Sequence, residues 1–271
     1  VTATRCELWA PFFTSMAVAA AVTPLAIWAA PKIGAMDIPK DERRLHNKPM
    51  PRFGEIAIFA GIMVSLYLFS HDEENVNAAM LGCTLIYILG LIDDLKNLKP
   101  IVKLTGQVIC ASAVYIAGLR IEFITNYFGD GRIMLGDVVC FVMTVLWLVA
   151  ITNAINLIAG LDGLAAGIAA ISALCIGYVA YIHGQYASMI AMMTIAGAAL
   201  GFLPYNFNPA KIFMGDSGSQ LLGFAIAAFS ITGVVKSATV VVLVIPALVL
   251  GLPVFDTAFA IVRRVIKGKP I

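Results

Sequence analysis

Two adjacent aspartates, Asp93 and Asp94, end an apolar run, Ala78 to Ile92, that is typical of a membrane-crossing helix. Paired carboxylates at such a position are costly unless a basic group or a bound cation offsets their charge. Lys103 follows near the start of the next apolar run. A carboxylate pair beside a lysine at a membrane surface suits the joint binding of a divalent metal ion and a phosphate. The alternative is an ordinary capped turn with exposed lysines.

Side-chain amides form a second candidate group. Asn153 and Asn156 are spaced so that a helix places both on one face, and a glycine-rich turn containing Asp162 follows them. Glycines let a ligand approach the backbone closely, and the amide oxygen of asparagine is a ligand for hard cations. The alternative, that these amides only cap backbone groups, stays open chiefly for Asn153.

A third polar segment runs from Pro204 to Ser219 and leads into another apolar run. Its Asp-Ser-Gly-Ser end, beginning at Asp216, predicts the first turn of a helix, where free backbone N–H groups favour an anion. Asp216 is then either an ordinary N-cap or a metal ligand. The three segments offer oxygen donors and contain no cysteine or histidine. The sequence therefore predicts Mg²⁺, with Mn²⁺ as the alternative, rather than Zn²⁺.

Long apolar runs carry these residues. Of the 271 residues, 61% are hydrophobic and 13% are charged, whereas about a quarter of the residues in a soluble domain are charged. We therefore predict an all-α, polytopic transmembrane helical bundle that forms a single domain over residues 1–271. About nine runs are long enough to span a bilayer. They cover residues 8–30, 54–70, 78–93, 104–119, 137–153, 163–182, 187–203, 217–235 and 239–262.

The basic residues predict the orientation of this bundle. If the first helix enters from outside, 14 of the 18 Lys and Arg residues fall on the inner side, as the positive-inside rule requires. The outer four are Arg5, Arg120, Arg132 and Lys236. Membrane topology thus accounts for the basic residues, and the net charge of +2 does not indicate a nucleic-acid partner. We expect a multi-pass protein of the inner (plasma) membrane.

Acidic residues gather at predicted helix ends on the inner side. Packing alone does not concentrate carboxylates on one face of a membrane protein. We therefore predict an active site at the cytosolic face, with a purely structural ion-pair network as the alternative. The acidic residues concerned are Asp93, Asp94, Asp162, Asp216 and Asp256.

Four segments together resemble the polyprenyl-phosphate N-acetylhexosamine-1-phosphate transferases, over about residues 30–270. They are HNKPMPRFGEIAIF, IDDLKNLKPIVKLTGQ, NAINLIAGLDGLAAG and PYNFNPAKIFMGDSGSQLLG, in chain order. Their spacing is closer to the branch that loads GlcNAc-1-phosphate onto undecaprenyl phosphate. The phospho-MurNAc-pentapeptide transferases of peptidoglycan synthesis are the alternative within the family.

The resemblance implies that a UDP-sugar and a polyprenyl phosphate meet at the cytosolic membrane face and that UMP is released. This would be the first membrane step of a cell-envelope glycan, such as teichoic acid or lipopolysaccharide. Two phosphate-bearing substrates repel each other, so Mg²⁺ and cationic side chains must attract them. By similarity, the catalytic residues are Asp93, Asp94 and Lys103, the metal ligands are Asn156 and Asp216, and the substrate-binding residues are Lys48, Arg52, Asn153, Asp162 and Asn206.

The resemblance leaves the chemical step open between direct displacement and a covalent aspartyl intermediate. A phosphate monoester with a second pKa of about 6 is already mostly ionised at neutral pH, so it needs little help to attack. We favour a single displacement by the lipid phosphate, positioned by Asp93 or Asp94.

Three features depart from the family pattern. Ala159 stands where the bacterial branch usually has aspartate, and Glu55 stands where glycine is expected. The family also carries a histidine-rich cytosolic loop and further helix after a segment like the one that ends at Ile271. We expect the native chain to continue into that loop.

Two rival classes remain. A cation-coupled transporter needs carboxylates near the bilayer midplane with access from both faces, whereas these acids gather at one face. An intramembrane aspartyl protease would leave the amides and the Asp93-Asp94 pair without a role. The sequence does not fix the oligomeric state, and a homodimer is one option.

Overall fold

The computed structural model describes residues 5–37, 49–70, 74–125 and 132–236. These residues form eight helices and two pairs of short antiparallel strands. The helices are α1 (Arg5–Ile33), α2 (Glu55–Ser70), α3 (Glu74–Lys96), α4 (Pro100–Ile116), α5 (Asp137–Ile158), α6 (Leu164–Ile182), α7 (Tyr186–Asn206) and α8 (Gly215–Lys236). The strands are β1 (Met36–Asp37) with β2 (Met50–Pro51), and β3 (Phe123–Thr125) with β4 (Arg132–Met134).

The prediction of an all-α membrane bundle is confirmed, and each of the first eight predicted spans corresponds to one helix. The ninth span, residues 239–262, lies outside the described residues. Within the described part of the chain, five helices are long and apolar enough to cross a membrane. They are Trp9–Ile33, Asn75–Lys96, Asp137–Ile158, Leu164–Ile182 and Tyr186–Asn206.

The boundary between α3 and α4 differs from the prediction. The predicted spans at this boundary are 78–93 and 104–119, but α3 continues to Lys96 and Pro100 begins α4. Proline suits the first position of a helix, because its missing N–H would have no helical partner there. Lys103 therefore lies in the first turn of α4, opposite the end of α3.

Helix α8 lies at the centre of the bundle. All its residues from Ser217 to Ile231 are buried, and it packs against α3 and α5 in particular. On the outer helices, large apolar side chains such as Trp28, Ile109 and Leu146 are exposed. Such an apolar surface is what lipid contact requires of a membrane bundle.

Two glycines let the helices approach α8 closely. A Cβ atom on Gly90 of α3 would lie 2.3 Å from the Cα of Ser217, and one on Gly223 of α8 would lie 2.8 Å from the Cα of Thr152. Both distances are shorter than any van der Waals contact, so only glycine fits. The backbones of α3, α5 and α8 are thereby brought together.

One end of the bundle, which we call the site end, gathers the carboxyl ends of α3, α5 and α7 and the amino ends of α4 and α8. Hydrogen bonds between these helix ends, described below, hold them there. A bridge between the backbones of Arg52 and Phe213 attaches the segment after β2 to the same end.

Candidate active site

A cavity of about 350 Å³ opens at the site end, between the ends of α3, α4, α5 and α8. Apolar side chains, among them Leu104 and Leu157, form part of its wall. Five residues predicted from the sequence line it: Asp93, Lys103, Asn153, Asn156 and Asp216. The structure therefore brings together residues from three separate sequence motifs.

Lys103 lies between two carboxylates of the cavity. Its ammonium nitrogen is 2.8 Å from Oδ2 of Asp93 and 2.9 Å from Oδ2 of Asp216. The first turn of α4 carries it to the point where the end of α3 meets the start of α8. The lysine thus supplies a positive charge at the place where two carboxylates converge.

The two adjacent aspartates have different surroundings, because neighbouring residues on a helix point in different directions. Asp93 lines the cavity, and its Oδ1 accepts a hydrogen bond at 3.0 Å from the backbone N–H of Leu98 in the following turn. Its other oxygen faces Lys103. Asp93 is therefore the member of the pair that substrate in the cavity would contact.

Asp94 instead binds the start of α8. Its carboxylate accepts hydrogen bonds from the backbone N–H groups of Asp216 and Ser217, both at 3.0 Å, and from the hydroxyl of Ser217 at 2.7 Å. Arg52 adds a donor at 2.5 Å. A carboxylate at the amino end of a helix satisfies N–H groups that have no helical partner and interacts favourably with the helix dipole. The main role of Asp94 in this geometry is to fix α8.

Arg52 is a second cation beside the cavity, although it is not one of the residues that line it. Besides its bond to Asp94, it approaches Oδ1 of Asp216 to 3.6 Å. Three carboxylates and two bases thus form a cluster of net charge −1, which repels phosphates unless a further cation joins it. The other predicted inner-loop residue, Lys48, lies outside the described residues, as does Asp256.

The two predicted amides of α5 are both held by side chains of other helices. Oδ1 of Asn156 accepts a hydrogen bond at 2.6 Å from the hydroxyl of Ser219 on α8. Nδ2 of Asn153 donates at 2.6 Å to Oε1 of Gln107 on α4. Each asparagine therefore has a fixed side-chain orientation at the cavity.

Asp162 and Asn206 occupy a neighbouring corner, where the α5–α6 turn meets the α7–α8 segment. Oδ2 of Asp162 accepts from the backbone N–H of Ala210 at 3.1 Å. The buried Asn206 accepts from the N–H of Gly163 at 3.2 Å and donates to the carbonyl oxygen of Ile212 at 2.9 Å. Within the described residues, neither lines the cavity. Their visible contacts join two loops.

Two of the three departures from the family pattern lie at helix ends. Glu55 is the first residue of α2 and is only 2% exposed. It packs against Gly218 of α8, and its Oε2 has no hydrogen-bond partner among the described residues. Ala159 ends α5, where its N–H donates to the carbonyl oxygen of Asn156 at 3.3 Å.

Several residues of the site were not singled out from the sequence. Gln107 follows Lys103 by one helical turn, and Gln220 follows Asp216 in the same way. Buried glutamines inside apolar runs, on the same helix face as a predicted site residue, are the signal that could have identified them. The serines that bind Asp94 and Asn156 carried no comparable signal.

The donors at the cavity fit a hard divalent cation. Carboxylate oxygens of Asp93 and Asp216 already hold the ammonium group of Lys103 between them, so this place favours a cation. In the described part of the chain, no three His, Cys, Asp or Glu residues form a ready-made metal cage. Mg²⁺ needs no such cage, since it is usually held by one or two carboxylates, water and substrate phosphates.

Comparison with known proteins identifies the family of this chain. The model of the glycosyl transferase family 4 matches residues 76–234, which run from the first turn of α3 to the last turn of α8. The chain belongs to this family of membrane transferases.

Named relatives extend this result. The chain is 41% identical over 261 residues to a probable undecaprenyl-phosphate N-acetylglucosaminyl 1-phosphate transferase of Bacillus subtilis, covering 96% of this chain and 72% of the relative. It is 36% identical over 269 residues to a decaprenyl-phosphate N-acetylglucosaminephosphotransferase of Mycobacterium tuberculosis, covering 89% of this chain and 66% of the relative.

A relative from the other branch is more distant. The chain is 34% identical over 224 residues to a phospho-N-acetylmuramoyl-pentapeptide-transferase of Streptococcus thermophilus, covering 74% of this chain and 64% of the relative. The chain thus spans about two thirds to three quarters of the length of these relatives.

Proposed function

We propose that this protein transfers GlcNAc-1-phosphate from UDP-GlcNAc to a polyprenyl phosphate and releases UMP. An oxygen of the lipid phosphate attacks the phosphorus that carries the sugar, and the bond to the UMP oxygen breaks. The observation that supports this most is the convergence of Asp93, Lys103, Asn156 and Asp216 around one cavity at a helix-end face. The names of the relatives from Bacillus subtilis and Mycobacterium tuberculosis support a GlcNAc phosphate as the transferred group and a polyprenyl phosphate as the acceptor.

The cations of the site act on the phosphates. Lys103 and Arg52 are paired with carboxylates, from which they can turn to phosphate oxygens of the substrates. Phosphoryl transfer depends mostly on positioning and on electrostatic stabilisation of charge at the transferred group. When Lys103 or Arg52 exchanges a carboxylate for a phosphate, its positive charge remains balanced by a negative one.

Mg²⁺ is the cofactor that this donor set fits. Asp216 and Asn156 would hold it, with Asp93 close by on the other side of Lys103. When bound, the metal ion offsets the negative charge of the two substrates and of the carboxylate cluster.

The wall of the cavity suits an acceptor that arrives from the membrane. Leu104 and Leu157 line the cavity and are also 44% and 59% exposed, so they connect its interior with the outer surface of the bundle. Isoprenoid carbons next to the lipid phosphate would contact them and remove apolar surface from water. The phosphate would then lie beside Lys103.

The site end faces the cytosol in this proposal. The predicted inner side holds 14 of the 18 Lys and Arg residues, and such an excess marks the cytoplasmic side of a plasma membrane. UDP-sugars would therefore have direct access to the cavity.

Direct displacement is favoured over a covalent aspartyl intermediate. Asp93, the aspartate of the pair that lines the cavity, has one oxygen bound to a backbone N–H and the other to Lys103. Such a carboxylate is arranged to orient Lys103. Acid quenching during turnover, followed by mass spectrometry, should find no phosphorylated or sugar-phosphorylated aspartate.

Release of UMP from UDP-GlcNAc by the purified protein tests the function. We expect release only when undecaprenyl phosphate and Mg²⁺ are both present, with loss on chelation and recovery on adding Mg²⁺ back. A parallel reaction with UDP-MurNAc-pentapeptide separates the two family branches. Preferred use of that donor, or release that continues in a chelator, would contradict the proposal.

A further inference from the structure

Beneath the cavity, three side-chain amides connect three helices. Nε2 of Gln107 on α4 donates to Oε1 of Gln220 on α8 at 2.9 Å and makes a longer bond of 3.3 Å to Oδ1 of Asn153 on α5. Oε1 of Gln107 accepts from Asn153 at 2.6 Å. Gln107 is 1% exposed and Gln220 is fully buried. We call these three residues the amide cluster, and Gln107 is its central member.

The amide cluster lies one helical turn below the ion pairs. Gln107 follows Lys103 by four residues, and Gln220 follows Asp216 by four, so each pair shares one helix face. Helices α4 and α8 are consequently linked at two levels. The upper link is the ion pair between Lys103 and Asp216, and the lower link is the bond between the two glutamines.

The two links respond differently to substrate. In the proposed reaction the upper link must open, because Lys103 turns to phosphate while Asp216 turns to the metal ion. The lower link is uncharged and buried, and opening it would leave amide groups without partners, which is costly. It can therefore hold α4 against α8 while the ion pair is exchanged.

The same cluster fixes Asn153, which lines the cavity. Its Nδ2 donates both to Gln107 and, at 2.8 Å, to the carbonyl oxygen of Val149. Both N–H bonds of the amide are thus used, and the group cannot turn over without losing them. Oδ1 accepts the longer bond from Gln107 and has a second lone pair with which it can receive a ligand in the cavity.

We propose that Gln107, which lines no part of the cavity itself, is a positioning residue: it keeps Lys103, Asp216 and Asn153 in register while substrate replaces the ion pair. This inference rests on the proposed transferase function. An amide with only a structural role would contribute to stability alone. Measuring both Tm and kcat therefore separates a structural role from a positioning role.

The experiment compares Gln107→Met, Gln220→Met and the double variant with the wild type. Thr194→Val is the matched control, because it removes a buried hydrogen bond of 2.9 Å between Thr194 and Ser65, which join α7 to α2 away from the cavity. Tm, kcat and KM for UDP-GlcNAc are measured for each protein.

Each single Met variant leaves an amide without its partner and should lower Tm. In the double variant both ends of the Gln107–Gln220 bond are apolar, so Tm should rise above that of Gln107→Met. It should stay below the wild-type value, because Asn153 has still lost its bond to Gln107. The kcat of the double variant should nevertheless stay about 10- to 100-fold low, as expected for a small misplacement of reacting groups. Thr194→Val should lower Tm and leave kcat unchanged.

Recovery of kcat together with Tm in the double variant would overturn the inference, as would an unchanged kcat in Gln107→Met. Backbone hydrogen exchange over residues 100–107 gives a readout that needs no turnover. It should be faster in the double variant than in the wild type and unaffected in Thr194→Val. If the wild type releases no UMP, the proposed function fails, and the exchange result alone decides the positioning role.

Discussion

Two corners of the site end use the same residue types in different ways. At the cavity, the charged groups of Asp93, Lys103 and Asp216 are paired with one another, side chain to side chain. At the neighbouring corner, Asp162 and Asn206 bind mainly to backbone groups of a facing loop.

The difference shows that the hydrogen-bond partner of a polar side chain decides whether the side chain can bind a ligand or only stabilise the fold. A substrate phosphate or a metal ion can replace one partner of an ion pair without leaving a buried charge uncompensated. A side chain that satisfies buried backbone groups cannot be released so easily, because those groups would lose hydrogen bonds that are costly to leave unmade. Acids and amides at the cavity are therefore available for ligands. Those at the loop corner stabilise the contact between two loops.

The largest expected effect is that of Lys103→Ala. Without the lysine, the substrate phosphates lose the cation between the two carboxylates, and kcat/KM should fall about 100- to 1000-fold. Lys99→Ala is the control, since Lys99 lies at the start of the same helix but is exposed and lines no described cavity. Equal losses in both variants, measured by UMP release, would contradict a specific role for Lys103.

Exchanging each member of the aspartate pair for asparagine should separate their roles. Asp94→Asn places an amide among four donors, so it should lower the free energy of unfolding by about 2 kcal/mol. This corresponds to a Tm lower by about 4 to 8 °C for a chain of this size. Asp93→Asn should change the Tm little and lower kcat. Thermal unfolding in detergent together with UMP release would show the contrast, and identical profiles would refute it.

The smallest expected effect on activity is that of a change at the loop corner. Asn206→Ala removes one donor and one acceptor that satisfy buried backbone groups, which should cost about 1 to 3 kcal/mol of stability. The KM for UDP-GlcNAc of the folded protein should change much less than in the Lys103 variant. An unchanged Tm with a strongly raised KM would instead support the nucleotide-binding role that the family resemblance implies for this residue.

The helices could be predicted well because a bilayer imposes a minimum length of apolar residues. The first eight spans were placed from this constraint alone, and their motifs indicated which ends carry the site. The short strand pairs were not predicted, because strands of two or three residues leave no periodic pattern. Helix α4 begins before its predicted span, because Pro100 can occupy the first position of a helix.

The site was predictable in its residue types but not in its connections. Lys103 and Asp216 are far apart in the sequence, yet the chemistry of their motifs predicted that both belong to one phosphate- and metal-binding site. Which aspartate of the pair faces the cavity depends on helix rotation, which apolar runs do not reveal. Gln107 was missed because its importance arises from partners on two other helices.

The contact of Gly90 with Ser217 has a consequence for how this enzyme can change. Two main chains touch there, about one helical turn before the aspartate pair, so any larger residue at position 90 would force α8 away from Asp94. Because every other amino acid carries a Cβ atom, no single substitution is open to this position without a shift of the helix that carries Asp216.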